Sequence, residues 1–235
     1  MTKKSGAVAL IVVFVAATLG AIGGSDVDAT SKAAVGADPD IPAGAISGTV
    51  RLEPPPPPRR TPDRGYSSGT GVVQQLPPVV YLKGQIAGAA PSGYVANPEM
   101  TQRDTAFAPS VVALRVGGTV SFPNGDPFFH NVFSYSSAKS FDLGRYPEGE
   151  SKQVTFDQPG PVEVLCEVHD FMRGAIVVTE NPYHAVVADD GTFTIEGVPP
   201  GEYTLVAWHP DHREQERTVT VAEGGNARVE VELRR

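Results

Sequence analysis

Cys166 is the only cysteine in a chain of 235 residues, and it opens the run Cys166-Glu167-Val168-His169-Asp170-Phe171-Met172. A second histidine, His130, stands upstream in Pro127-Phe128-Phe129-His130-Asn131-Val132. One thiolate, two imidazoles and one thioether make the donor set of a copper ion that cycles between Cu(II) and Cu(I). Such a site wants one soft anionic sulfur, two neutral nitrogens in a roughly trigonal plane and a weak axial Met. Cys166, His169 and Met172 lie three residues apart, so one tight loop can turn them toward a single point, whereas His130 must arrive from a different strand. A loop pinned against a strand resists rearrangement when the metal changes oxidation state. Asn131 stands beside His130 and is placed to tie the two ligand segments together, since ligand histidines need their orientation fixed by hydrogen bonds. Taken singly, each donor has a plainer reading, a lone Cys being most often a small buried hydrophobe. Zinc, another metal or a site that has lost its metal are the alternatives, although structural zinc sites prefer several Cys or His and rarely use Met.

Around these residues the chain resembles the cupredoxins, or blue copper proteins, of the amicyanin/plastocyanin-like kind. Gly117-Gly118-Thr119-Val120-Ser121-Phe122-Pro123-Asn124-Gly125-Asp126, followed by His130-Asn131-Val132, looks like the strand that leads to their first histidine. Pro159-Gly160-Pro161-Val162-Glu163-Val164-Leu165-Cys166 looks like the strand that enters their copper loop. The likeness covers residues 94–179, and it departs at Asp170, where amicyanin-like loops commonly carry Pro. It implies one copper ion on His130, Cys166, His169 and Met172, with the His169 ring edge near the surface inside an apolar patch. Pro127, Phe128 and Phe171 are the candidates for that patch, while Phe129 and Phe133 read as core. It also implies a redox partner such as a c-type cytochrome or a periplasmic dehydrogenase.

The elements that must position these donors read as all-β. Gly and Pro are spaced through the chain, and short runs of strand-like residues are bounded by turn residues. Eleven strands are expected, at 45–52, 79–83, 111–116, 119–123, 152–156, 162–166, 175–179, 192–196, 202–209, 217–221 and 227–233. That many short strands make two β-sandwiches. In the last sixty or so residues, Asp189-Asp190-Gly191-Thr192-Phe193-Thr194-Ile195-Glu196-Gly197-Val198-Pro199-Pro200-Gly201-Glu202-Tyr203-Thr204-Leu205 resembles the carboxypeptidase-regulatory-like, transthyretin-like sandwich. Asp190-Gly191 is a hairpin signal. Phe193 and Ile195, then Tyr203, Leu205 and Ala207, keep a two-residue inward period.

From His184 onward there are too few strands for that sandwich, whereas Ile46–Leu52 and Val79–Gly84 resemble its first two. The expected organisation is therefore a Greek-key cupredoxin sandwich inserted in, or followed by, a second small transthyretin-like sandwich. The boundaries are 1–29 signal peptide or N-terminal anchor, 30–40 linker, 41–86 first strands of the second sandwich with a Pro-rich loop at 53–71, 87–179 copper domain and 180–235 the remainder. Insertion is tolerated where chain ends lie close together at a loop tip. Five prolines at 54–58 hold an extended segment without sheet donors, read as an exposed loop rather than a docking motif.

Compartment and function class follow from the rest. Lys3 and Lys4 precede an apolar run at 7–22, and Val27-Asp28-Ala29 offers a cleavage point, the pattern of an export signal. The same run approaches a spanning length and would serve uncleaved as a membrane tether. Periplasmic or extracellular placement is expected, where a single cysteine has no internal disulfide to make. With a net charge of −8 and no extended basic face, nucleic acid is not an expected partner. The five histidines include no His-x-His pair of the sort multicopper enzymes need, and His209-Pro210-Asp211-His212 reads as a surface turn. No hydrolase constellation stands out. The expectation is a carrier of single electrons and not an enzyme; copper handling without redox shuttling, or an exported surface interaction module, are the other readings.

Overall fold

The computed structural model describes residues 42–55, 75–88 and 90–235. The expected export segment or anchor, the 30–40 linker and the Pro-rich loop beyond Pro55 lie outside the described residues. No helix among the described residues is long and apolar enough to cross a membrane. The described chain is built from strands: β1 (Gly44–Leu52), β2 (Val79–Leu82), β3 (Thr101–Arg103), β4 (Ala106–Ala108), β5 (Val111–Arg115), β6 (Thr119–Pro123), β7 (His130–Ser136) and β8 (Lys139–Tyr146). They continue as β9 (Ser151–Thr155), β10 (Gly160–Leu165), β11 (Arg173–Thr179), β12 (His184–Val186), β13 (Thr192–Val198), β14 (Gly201–Trp208), β15 (Gln215–Val221) and β16 (Asn226–Leu233). The fold class is all-β. Apolar alternation finds eleven of these strands. It overlooks β3, β4 and β12, which have three residues each, and β7 and β8, whose polar residues and Gly144 hide the pattern.

The largest sheet has the order β5-β11-β10-β7-β8. Its inner face packs on the pair β6-β9 through a core that holds Phe107, Phe122, Tyr146, Phe156, Val162, Val164, Ile176, Cys166 and Met172. β6 shows how the sequence chooses that face: Val120 and Phe122 point in and are fully buried, while Thr119 and Ser121 point away. Burying an aromatic of this size is worth about 1.5–3 kcal/mol.

A second core lies between the sheets β13-β1-β16 and β12-β2-β14-β15, filled by Ile46, Val80, Leu82, Tyr183, Phe193, Ile195, Leu205 and Ala207. The neighbours of β1 are β13, antiparallel, and β16, parallel in continuous register from Ala45↔Asn226 to Leu52↔Leu233. β2 lies between β12 and β14. This pair of sheets is thus assembled from two separated stretches of chain. Gly48 belongs to the parallel pairing, because a Cβ there would meet the Val229 carbonyl oxygen at 1.8 Å.

β2 is Val-Val-Tyr-Leu, apolar throughout, and the structure gives the reason. Val80 and Leu82 face the second core, while Val79, with Tyr81 beside it, faces a third cluster containing Val111, Ala175, Val177, Ala113 and Trp208. A strand covered on both faces has no reason to alternate. The turn after β14 corrects another expectation. His209 is buried rather than superficial, its Nε2 2.9 Å from the Leu76 carbonyl, and His212 Nε2 is 3.0 Å from the Glu53 carbonyl. The two rings thus hold the backbone at Leu76 and Glu53.

Candidate metal centre

The strands β10 and β11 form a hairpin closed by the Leu165↔Arg173 pair, and residues 166–172 are its loop. Cys166 leaves β10, Met172 enters β11, and the Met172 N–H donates to the His169 carbonyl at 3.0 Å, which tightens the turn between them. β10 also meets β7 at Leu165↔Phe133, and this junction brings in His130, the first residue of β7. A bulge between Asn131 and Phe133 interrupts the pairing of β7 with β8, with Gly144 at φ 63° supplying the left-handed residue on β8. Bulges re-aim side chains beside functional sites. Here His130, Asn131 and Val132 are consecutive and all buried.

Three donors converge. His130, Cys166 and His169 each offer one ligand atom within 4.8 Å of the others. His130 Nδ1 is 3.7 Å from Cys166 Sγ and 3.3 Å from His169 Nδ1. Cys166 is a free thiol and buried. Burial first, and then the neighbouring His130, hold the His169 imidazole below its usual pKa, against the pull of Asp126, so it is neutral and able to donate its lone pair at pH 7. Met172 is buried in the same core as Cys166, at the end of the loop.

Asn131 Oδ1 accepts the Glu167 N–H at 2.6 Å, joining the His130 strand to the Cys166 loop. Its Nδ2 is 3.5 Å from Asp142 Oδ1. Of the three apolar patch candidates, Pro127 is exposed, Phe128 is 40% exposed and Phe171 is half-buried. The Phe128 ring stands 5.1 Å from that of His130 and 5.5 Å from that of His169, and Phe171 lies 5.8 Å from His169. Phe129 does not fill the core as expected. It is 56% exposed, because the loop before β7 turns it outward beside Phe128.

Two buried residues escape a reading of the sequence. Asp126 Oδ2 is 2.8 Å from His130 Nε2, and its carboxylate also accepts the N–H groups of Asp104 and Thr105 at 2.7 and 3.0 Å. Burial pushes this carboxyl up, but the N–H of Thr105, His130 and the N–H of Asp104 together bring it below its ordinary value. Asn124 shapes the loop: Nδ2 donates to the carbonyls of Phe128 and Tyr146, and Oδ1 accepts the Asp126 N–H. The available signal is an Asn-Gly-Asp-Pro turn four residues before a candidate ligand.

Residues 96–179 match the family of copper binding proteins, plastocyanin/azurin family. Residues 170–234 match the carboxypeptidase regulatory-like domain. The two matches share the whole of β11, which lies in the copper-side sheet. The first family implies one copper ion, and the Cys-His-His donor set, with His130 and Cys166 buried and His169 partly so, suits it: soft sulfur and neutral imidazole are the donors copper prefers.

Among solved structures, the chain is similar to the Cu-containing nitrite reductase NirK of Thermus scotoductus SA-01, at 26% identity over 40% of this chain and 25% of that one, with a TM-score of 0.35. It is similar to a purple cupredoxin from Nitrosopumilus maritimus, at 20% identity over 35% of this chain and 99% of that one, with a TM-score of 0.32. Amicyanin from Paracoccus versutus is a third, at 24% identity over 38% and 84%, with a TM-score of 0.33. No curated protein matches the chain.

Proposed function

We propose that this protein is a type 1 copper protein that carries single electrons between exported redox partners and is not itself an enzyme. The observation that carries the reading is the convergence of His130, Cys166 and His169, one ligand atom of each within 4.8 Å of the others, at the junction of a hairpin loop and a separate strand. His130, Cys166 and His169 would hold the ion, with Met172 as a further, weak sulfur donor. Bound copper would supply a one-electron Cu(II)/Cu(I) couple. The chain's own work is to hold the donors still. The Asn131 bridge to Glu167 N–H ties strand to loop, the His169–Met172 turn fixes the loop's far end, and the surrounding core keeps bulk water from the thiolate. A site held in this way reorganises little, and small reorganisation favours transfer over bond-making.

His169 is partly exposed within a rim made by Phe128 and Phe171, which supports an exit for the electron through its ring edge. Small apolar surfaces suit weak, transient redox partners. A c-type cytochrome or a periplasmic dehydrogenase fits that description. The export pattern at 1–29 supports periplasmic or extracellular placement, with 7–22 as a tether if uncleaved. The β1 and β2 pairings support a division into a copper domain at 87–179 lying between the two parts, 41–86 and 180–235, of the regulatory-like sandwich.

The competing reading is copper handling without redox shuttling. Voltammetry of the copper-loaded protein, run beside competition with a Cu(I) chelator, separates the two. A reversible one-electron wave with copper retained supports electron carriage. Rapid loss of Cu(I) to the chelator, without a reversible wave, overturns it in favour of handling.

A further inference from the structure

Asp126 is a buried carboxylate, 4% exposed, on the loop that delivers His130. Its Oδ1 accepts the Asp104 N–H at 2.7 Å, and its Oδ2 meets the Thr105 N–H at 3.0 Å and His130 Nε2 at 2.8 Å. Among the described residues the basic side chain in contact with it is His130, at 2.8 Å. On the copper-side loop after β10, Glu167 is matched by Arg145 at 3.3 Å.

The two N–H donors come from the turn between β3 and β4, where Asp104 and Thr105 sit at φ 55° and 57°. Residues other than glycine rarely adopt this region. A two-residue hairpin with both positions there normally carries Asn-Gly or Asp-Gly. Here the unfavourable backbone aims two consecutive N–H groups at one carboxylate, and that carboxylate aims at one imidazole.

Because Nε2 faces a carboxylate that already accepts two N–H groups, it is the nitrogen that carries the proton. Nδ1 is then left with its lone pair, turned toward Cys166 Sγ and His169 Nδ1. We propose that Asp126 is a positioning residue that fixes His130 as an Nδ1 donor and biases the bound ion toward Cu(II). It would do so by locking the ring's tautomer and rotation and by placing a negative charge one imidazole away from the metal. This role rests on the copper reading above. Partners of this kind orient ligand histidines and raise their basicity, and their removal costs about 10–100-fold in metal affinity.

The test uses the full-length chain as wild type, Asp126→Asn and Asp126→Glu. Nitrogen NMR of the copper-free proteins reads the His130 tautomer, and redox titration of the copper-loaded proteins reads the potential. The wild type is expected to hold its proton on Nε2. Asp126→Asn is expected to move the Cu(II)-to-Cu(I) affinity ratio at least tenfold toward Cu(I), a rise of about 59 mV for a one-electron couple, and Asp126→Glu to restore part of it. A folded Asp126→Asn variant with a ratio within twofold of wild type, or a wild-type proton on Nδ1, overturns the proposal. If Asp126→Asn does not fold, the wild-type tautomer and the Asp126→Glu potential decide. If the wild type binds no copper, the electron-carrier reading fails, and the tautomer in wild type against Asp126→Asn still judges the positioning role by itself.

Discussion

Lowering the pH tests a residue far from the metal donors. His184 begins β12, with its Nδ1 3.2 Å from Thr179 Oγ1 and its ring edge-on to Tyr94 at 5.6 Å between centroids. Burial pushes its pKa down to about 4, more than the carbonyls of Ala113 and Asn181 pull it back up. The unfolded chain takes up this proton near pH 6.5, whereas the folded chain does so only near 4.

A depressed folded-state pKa means that the stabilising effect is fully present above pH 6.5 and is lost as pH falls toward 4. From pH 7.5 to 4.5 this one group removes about 2.5 kcal/mol of folding free energy. Urea unfolding of the copper-free protein at both pH values, for wild type and His184→Gln, isolates the term, since His169 and His209 shift in the same direction but are present in both proteins. The wild type is expected to lose about 2.5 kcal/mol more than the variant. At a slope of about 2–3 kcal/mol per molar urea, that is a difference of about 1 M in midpoint. Equal acid sensitivity in the two proteins, or a His184 ring that titrates near 6.5 in the folded state, would refute the reasoning.

Gly48→Ala forces a Cβ to within 1.8 Å of the Val229 carbonyl oxygen and must part β1 from β16. The expected cost is about 3 kcal/mol, seen as a Tm lower by about 6–12 °C; a drop under about 2 °C contradicts the register. Asn131→Ala leaves the Glu167 N–H without its 2.6 Å acceptor. It should cost about 1–3 kcal/mol and speed copper loss, while Asn131→Asp keeps an acceptor and recovers much of both. An alanine variant as stable and as copper-retentive as wild type would show that the bridge does not matter.

Cys166 and His169 were legible in the sequence because one short hairpin loop carries them, so sequence distance stands in for spatial distance. His130 was legible only through its neighbours. Asp126 was not, because its partners at Asp104 and Thr105 lie about twenty residues back and depend on a left-handed turn that no residue type there signals. The exposure of Phe129 is not legible for a related reason: in an irregular loop, hydrophobicity does not tell which way a side chain points. The continuous apolar stretches β2 and β11 looked like ordinary strands, and only the stacking of one sandwich on the other explains why both of their faces are covered. The burial of His209 likewise depends on the Leu76 carbonyl, far away in sequence.

The most direct measurement is the visible absorption of the copper-loaded wild type beside Cys166→Ala. An intense thiolate-to-Cu(II) charge-transfer band is expected in the wild type, bleached reversibly by reduction and absent from Cys166→Ala. A wild-type protein that binds Cu(II) without that band, or a band that survives the loss of Cys166, would contradict it.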